Sequence, residues 1–273
     1  GSLLQGGEAA IFAELQREHQ NMHGYQEASG DTMYRSSTPR LHRGLQKIIL
    51  DIKLNSECEA IIANGCMVLA TLAMHYTNRD PAVMMRAAPA VVVGLRHHPD
   101  SVRVQESCSS AIINLCYSPL AREAFLEAEA VAALVYSLAN NFKEAVVARE
   151  ALRALSSVAG AYEDPFHPIR YPSLVPSDLA HDARRQMYAA SGESAAMAAL
   201  NAHIGDEAVC CACVEFLHTI CKHDMDEHYH PMVMRIAKLD GRRLFQIVRN
   251  HRDTYGLEAQ SQCEMLLRCI EHV

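Results

Sequence analysis

Eight side chains able to ligate a metal crowd the stretch from position 210 to 230: Cys210, Cys211, Cys213, His218, Cys221, His223, His228 and His230. Thiolate and imidazole are zinc ligands, and a structural zinc needs four of them at about 2.0–2.3 Å. The apolar pattern of this stretch predicts a helix, and a helix spreads the candidates apart. Cys211 and His218 stand two helical turns from each other, about 10 Å at 1.5 Å per residue, too far to share one ion. The following turn, His223-Asp-Met-Asp-Glu-His-Tyr-His230, holds the remaining imidazoles, with a solvated polar connection as its plainer reading. No metal and no other cofactor is expected.

Other signatures of chemistry are missing. The 13 glycines form no G-x-G-x-x-G and no G-x-x-x-x-G-K-[ST], and neither G-x-S-x-G nor H-E-x-x-H occurs. The ten cysteines fall mainly on apolar positions, whereas a nucleophilic thiol needs an exposed, electropositive setting. The chain is therefore expected not to be an enzyme. Lys+Arg number 25 against 32 Asp+Glu, a formal net charge of −7, so there is no basic stripe for a phosphate backbone and nucleic acid is not expected. The longest apolar run, Ala87 to Leu95, contains Pro89 and Gly94 and is far shorter than the ~20 residues of a membrane span. Cysteines read as reduced thiols point to the cytoplasm or nucleus. Gly1-Ser2 reads as a cloning scar, and the chain stops inside a helical pattern, as a module of a larger protein does.

The elements that must position these residues repeat. Val104 to Cys116 recurs 43 residues earlier as Ile61 to Ala73 and 43 later as Val147 to Ala159. A fourth copy, Val209 to Cys221, follows after an insertion, and a fifth starts at Ala259. Numbering each copy from its first residue, positions 1, 5, 8 and 12 are apolar or small, the stripe of an amphipathic helix. Position 5 reads Gly65, Cys108, Ala151, Cys213 and Cys263, a slot for a small residue between packed helices. Ile52, Leu95, Leu138 and Leu200 each lie nine residues before position 1 of the next copy and mark a shorter helix. Pro81 to Arg86, Leu120 to Glu127 and His181 to Ala189 predict a still shorter one before it. A unit is then short helix, medium helix, long helix.

On these residues, the Val-Gln-Glu-x-Cys-x-x-Ala-Ile-x-Asn-Leu-Cys helix at 104–116 and the Ala130-Val-Ala-Ala-Leu-Val-Tyr-Ser-Leu138 helix above all, the chain resembles the armadillo repeat family. The resemblance implies an all-α, right-handed superhelical solenoid of about five three-helix repeats, with a concave groove lined by the third helices. HEAT-type repeats, with two helices per unit, are the minor alternative.

By this reading residues 1–40 form an N-terminal helix, Glu8 to Gln20, and a polar linker, Ala28 to Arg40; residues 41–273 form the array. A Pro-rich insertion at 162–178, with Pro165, Pro168, Pro172 and Pro176, must leave helical geometry and cross the surface.

Positions 4, 7 and 11 lie about a quarter turn from the buried stripe, on the face that lines the groove in armadillo proteins. They supply the candidate partner-binding residues: Asn64, Met67, Thr71, Ser107, Ser110, Asn114, Glu150, Arg153, Ser157, Glu215 and Thr219. The alternative for each is an ordinary solvent-facing side chain. In importin alpha the matching ladder repeats Trp and Asn to clamp a basic peptide; this chain has no Trp and keeps Asn114 alone, so a receptor of that kind is not implied. The expected function is a non-enzymatic scaffold that binds a protein or peptide partner along the groove. A self-assembly or cytoskeletal docking module using the chain ends or the insertion is the alternative, and a regulator of small GTPases a weaker one.

Overall fold

The structure is a computed structural model that describes residues 34–74, 81–160, 177–221, 231–250 and 255–271. Among them it is all-helical, with thirteen helices and no strands. In chain order they are α1 (Tyr34–Leu54), α2 (Glu59–Ala73), α3 (Pro81–His97), α4 (Val102–Leu115), α5 (Pro119–Glu127), α6 (Ala130–Asn140) and α7 (Ala145–Val158). Then come α8 (Ser177–Ala189), α9 (Gly192–Ala202), α10 (Glu207–Cys221), α11 (Pro231–Lys238), α12 (Gly241–Asn250) and α13 (Leu257–Glu271).

The five long helices α2, α4, α7, α10 and α13 each begin two residues before position 1 of their sequence copy. Each packs on the next, α2 on α4, α4 on α7, α7 on α10 and α10 on α13. The helices before them follow the same order, α1 on α3, α3 on α6, α6 on α9 and α9 on α12. The apolar stripe explains this stacking. Position 1 (Ile61, Val104, Val147, Val209, Ala259), position 9 and position 12 are buried in every copy, and position 8 in all but Val68. A single core cluster runs from Leu45 to Ile270. Closely placed helices need small residues where they meet: a Cβ on Gly65 would stand 2.7 Å from Ile52 Cγ1, and one on Gly94 2.6 Å from Ile62 Cγ2. Both isoleucines are fully buried and have no room to yield.

The three-part unit holds in the last three units and fails in the first two. Glu129, Ser191 and Asp240 adopt left-handed backbone (φ 59, 60 and 65) between α5 and α6, α8 and α9, and α11 and α12, and there the chain turns. One copy earlier than Glu129 stands Arg86, and the chain runs through it, so the predicted short helix Pro81 to Arg86 is the first part of α3. Met85 and Arg86 favour helix and nothing local forces a turn. Pro89 lies inside α3, where its missing N–H removes one backbone bond. α1 is likewise continuous and starts at Tyr34, so the predicted linker Ala28 to Arg40 is helical from that point. Polarity excludes a segment from the core, not from a helix. The Glu8 to Gln20 helix and residues 162–176 of the insertion lie outside the described residues; Ser177 already opens α8.

Successive units are tied by a recurring bond between the end of one medium helix and the corresponding loop one unit back. His98 Nε2 donates to Ser56 O (2.8 Å), Asn141 Nδ2 to Pro99 O (2.9 Å) and His203 Nε2 to Phe142 O (2.9 Å), and the Tyr255 hydroxyl donates to Ile204 O. A second recurring bond uses position 2 of the long helix. Gln105 Nε2 donates to Leu95 O (2.9 Å) and His98 O (2.8 Å), Cys210 Sγ to His203 O (3.1 Å), and Gln260 Nε2 to Tyr255 O (2.7 Å). These carbonyls sit at helix ends and in turns; His98 O and His203 O also accept a turn N–H, from Ser101 and Asp206, and at the others a side chain supplies the partner. Short caps set the starts: Ser101 Oγ accepts from Val104 N, and Asp206 Oδ1 from Val209 N.

Candidate functional site

The residues at positions 4, 7 and 11 separate into three behaviours. Position 7 is the most accessible row: Met67 is exposed, and Ser110, Arg153, Glu215 and Met265 are half-buried on α4, α7, α10 and α13. Position 4 is largely inside. Ser107 and Glu150 are buried, and Asn64 is half-buried with its Oδ1 accepting from Arg103 Nη2 at 2.6 Å. Ser157 at position 11 is buried as well.

The rest of position 11 is turned back on the protein. Thr71 Oγ1 donates to Met67 O (2.9 Å) and Thr219 Oγ1 to Glu215 O (2.8 Å), the bond a helical Thr makes to the carbonyl one turn back. Asn114 Nδ2 donates to Ala70 O at 2.9 Å. Ala70 O lies in the last turn of α2, where the Met74 N–H goes to Thr71 O and Leu72 O instead. The amide of Asn114 therefore closes α2 from the next unit, with one of its N–H donors committed inside the chain.

At the centre of the row, Arg149 Nε (2.9 Å) and Arg153 Nη1 (3.4 Å) both reach Glu150 Oε1, and Ser110 Oγ lies 3.4 Å from Glu150 Oε2. Glu150 is buried beneath two guanidinium groups whose side chains stay 37% and 43% exposed. Two cations over one carboxylate leave α7 with a positive outer face. The next helix has the opposite sign. Glu207 and Glu215 stand one turn either side of the half-buried Cys211 on α10, whose thiol is pushed up by burial first and then by the charges of Glu207, Glu215 and, on α13, Glu258. Arg103, Arg149, Glu207 and Glu258 were not among the residues singled out from the sequence; Arg149 lies one place before the position 4 row and the other three about one helical turn before it, where a repeat scan of single columns does not look.

The cysteine-rich helix α10 builds no chelate. Cys210 and Cys213 stand three apart, yet Cys210 Sγ bonds His203 O and Cys213 Sγ faces Ala196 O at 3.6 Å, so they serve different neighbours. Burial pushes the Cys210 thiol up to about 11 and that of Cys213 well above its ordinary value. Among the described residues no three His, Cys, Asp or Glu side chains are placed to hold a metal ion. The turn from His223 to His230 lies outside the described residues. Nor is any described helix long and apolar enough to cross a membrane.

No protein-family model matches the chain, and no curated protein matches it. Among solved structures, the crystal structure of an engineered protein is similar at a TM-score of 0.42 and 18% identity, over 83% of this chain and 96% of that one. A likeness at that level carries no argument about fold or function.

Proposed function

We propose that the chain is an armadillo-type solenoid that acts by binding rather than by catalysis, taking a segment of a protein partner along the face formed by its long helices. The observation that carries this reading is the position 7 row. It places one accessible side chain of differing chemistry on each of five successively packed helices, while positions 4 and 11 are largely buried or bonded internally. A row of that kind is a surface for recognition along a line, which is how stacked helical repeats use the area they expose. The three-helix units from α5 to α13 fit the armadillo pattern, and the units at the start have the two-helix count of HEAT-type repeats.

Affinity capture from a cell extract with the native domain and with a Met67→Ser, Arg153→Ala variant tests the proposal. A protein captured by the first and lost with the second, the variant keeping its helical circular dichroism and melting temperature, is the expected result. Identical captures with both chains would overturn it.

A further inference from the structure

The sign of the row changes once along its length, and that change is specific enough to describe a ligand. From α2 to α13 it runs Met67, Ser110, Arg153, Glu215, Met265: apolar, polar, basic, acidic, apolar. The basic step is fixed in place, because Arg153 is held by the buried Glu150 while nearly half of its side chain remains accessible. The acidic step is accompanied by Glu207, two turns back on the same side of α10.

We propose that this face takes an extended polypeptide segment carrying an acidic residue against Arg153, a basic residue against Glu215 and apolar residues at both ends, against Met67 and Met265. The inference rests on the binding reading above and narrows it to one class of sequence. Packed helices lie about 8–10 Å apart, and an extended chain rises about 3.3 Å per residue, so one step of the row corresponds to about three residues of ligand. Arg153 and Glu215 are one step apart, which puts the two ligand charges about three residues from each other. Met67 is two steps from Arg153 and Met265 one step from Glu215. The ligand is therefore asymmetric: an apolar residue, about six residues to the acidic one, about three to the basic one and about three to the second apolar one. Charge complementarity of this kind fixes register and excludes partners of the reversed order.

The test is selection from a phage-displayed library of random 16-residue peptides on the purified chain and on an Arg153→Glu, Glu215→Arg variant. Circular dichroism and thermal melting of both chains confirm that the exchange leaves the fold intact. Enriched peptides on the native chain are expected to carry the pattern above, and peptides enriched on the variant the same pattern with the two charges exchanged. Each should lose about tenfold or more in affinity on the other chain. Peptides that lose binding on a Met67→Ser, Met265→Ser variant but show no ordered charges, or the same charges on both chains, would overturn this inference and leave the binding reading standing. Peptides that bind all variants equally, or an absence of enrichment, would overturn both.

Discussion

Asn141 holds two units together with one amide: its Nδ2 donates to Pro99 O at 2.9 Å, in the loop one unit back, and to Ser137 O at 3.0 Å, at the end of its own helix. The side chain is buried, so water cannot replace it. Asn141→Ala removes both side-chain bonds, leaving Ser137 O with the Asn141 N–H and Pro99 O with the longer contact from Asn140 Nδ2 (3.4 Å), and is expected to cost about 1 kcal/mol. Urea unfolding of the two chains measures this; equal midpoints would show that the bond between units contributes nothing.

Gly65 and Gly94 make the complementary case, in which an added atom does the damage. The Cβ of Gly94→Ala would lie 2.6 Å from Ile62 Cγ2 and 3.0 Å from Cys108 Sγ, both on buried residues. Alanine normally favours a helix over glycine by up to about 1 kcal/mol, so overpacking must overcome that gain. A net loss of about 1–3 kcal/mol is expected for either glycine, and a rise in melting temperature on either substitution would contradict the close approach.

Glu193 is fully buried and pairs through Oε1 with Arg235 Nε at 2.9 Å, while Arg235 also reaches Tyr188 O (3.2 Å) and Ser191 Oγ (2.9 Å). Among the described residues Glu193 Oε2 has no hydrogen-bond donor. Removing the cation strands a charge in the interior, whereas neutralising the carboxylate does not. Arg235→Met is expected to cost about 3 kcal/mol, the low end for a buried pair because Arg235 is partly exposed, and Glu193→Gln about 1 kcal/mol. The order of the two is the decisive reading, and an equal loss for both would remove the asymmetry.

Buried thiols predict the response to alkali. Burial pushes Cys116 and Cys263 up to about 12 and Cys210 to about 11, from an ordinary value near 9. The folded chain then keeps protons that the unfolded chain has lost, so stability is full below about pH 8 and falls as pH rises from about 9 to about 12. Each such thiol contributes roughly 1 kcal/mol per pH unit within that window. Urea midpoints taken from pH 7 to 11 should drop, and a Cys116→Ala, Cys263→Ala variant should drop less steeply; parallel curves would assign the loss to other groups.

Half-buried thiols should react first. Cys58 and Cys211 are the cysteines not fully buried, and the Cys211 thiol is raised by burial and its carboxylate neighbours. A thiol-specific disulfide reagent at neutral pH is expected to label Cys58 fastest, Cys211 next and Cys108 and Cys213 only on unfolding. Early labelling of Cys108, read by peptide mass mapping, would contradict the packing of α4 on α2.

The long helices were legible because their signal is doubly redundant: a buried stripe of period 3.6 within each copy, and the same stripe again 43 residues on. The start of each, two residues before position 1, follows from that alignment. The turn at Glu129 was placed correctly and the matching one at Arg86 was not, since Ala128-Glu129 and Met85-Arg86 are equally good helix formers and the difference lies in tertiary packing. The face was legible as a set of columns, but not which columns open outward. Ser107 and Ser157 are small enough to be covered by the next helix, and Glu150 is covered by two arginines; none of this is encoded in residue type or period.

The recurring bonds from His98, Asn141, His203 and Tyr255 each end on a main-chain oxygen, and the residues offering it are as different as Ser56, Pro99, Phe142 and Ile204. A joint that reads the main chain is indifferent to what its neighbour's side chain has become. Mutation can wander at the accepting positions without loosening the joint, and a unit can be duplicated, dropped or exchanged as long as it brings its own donor. The stack of helices can thus change its length and its exposed side chains over evolutionary time while these seams between its parts stay the same.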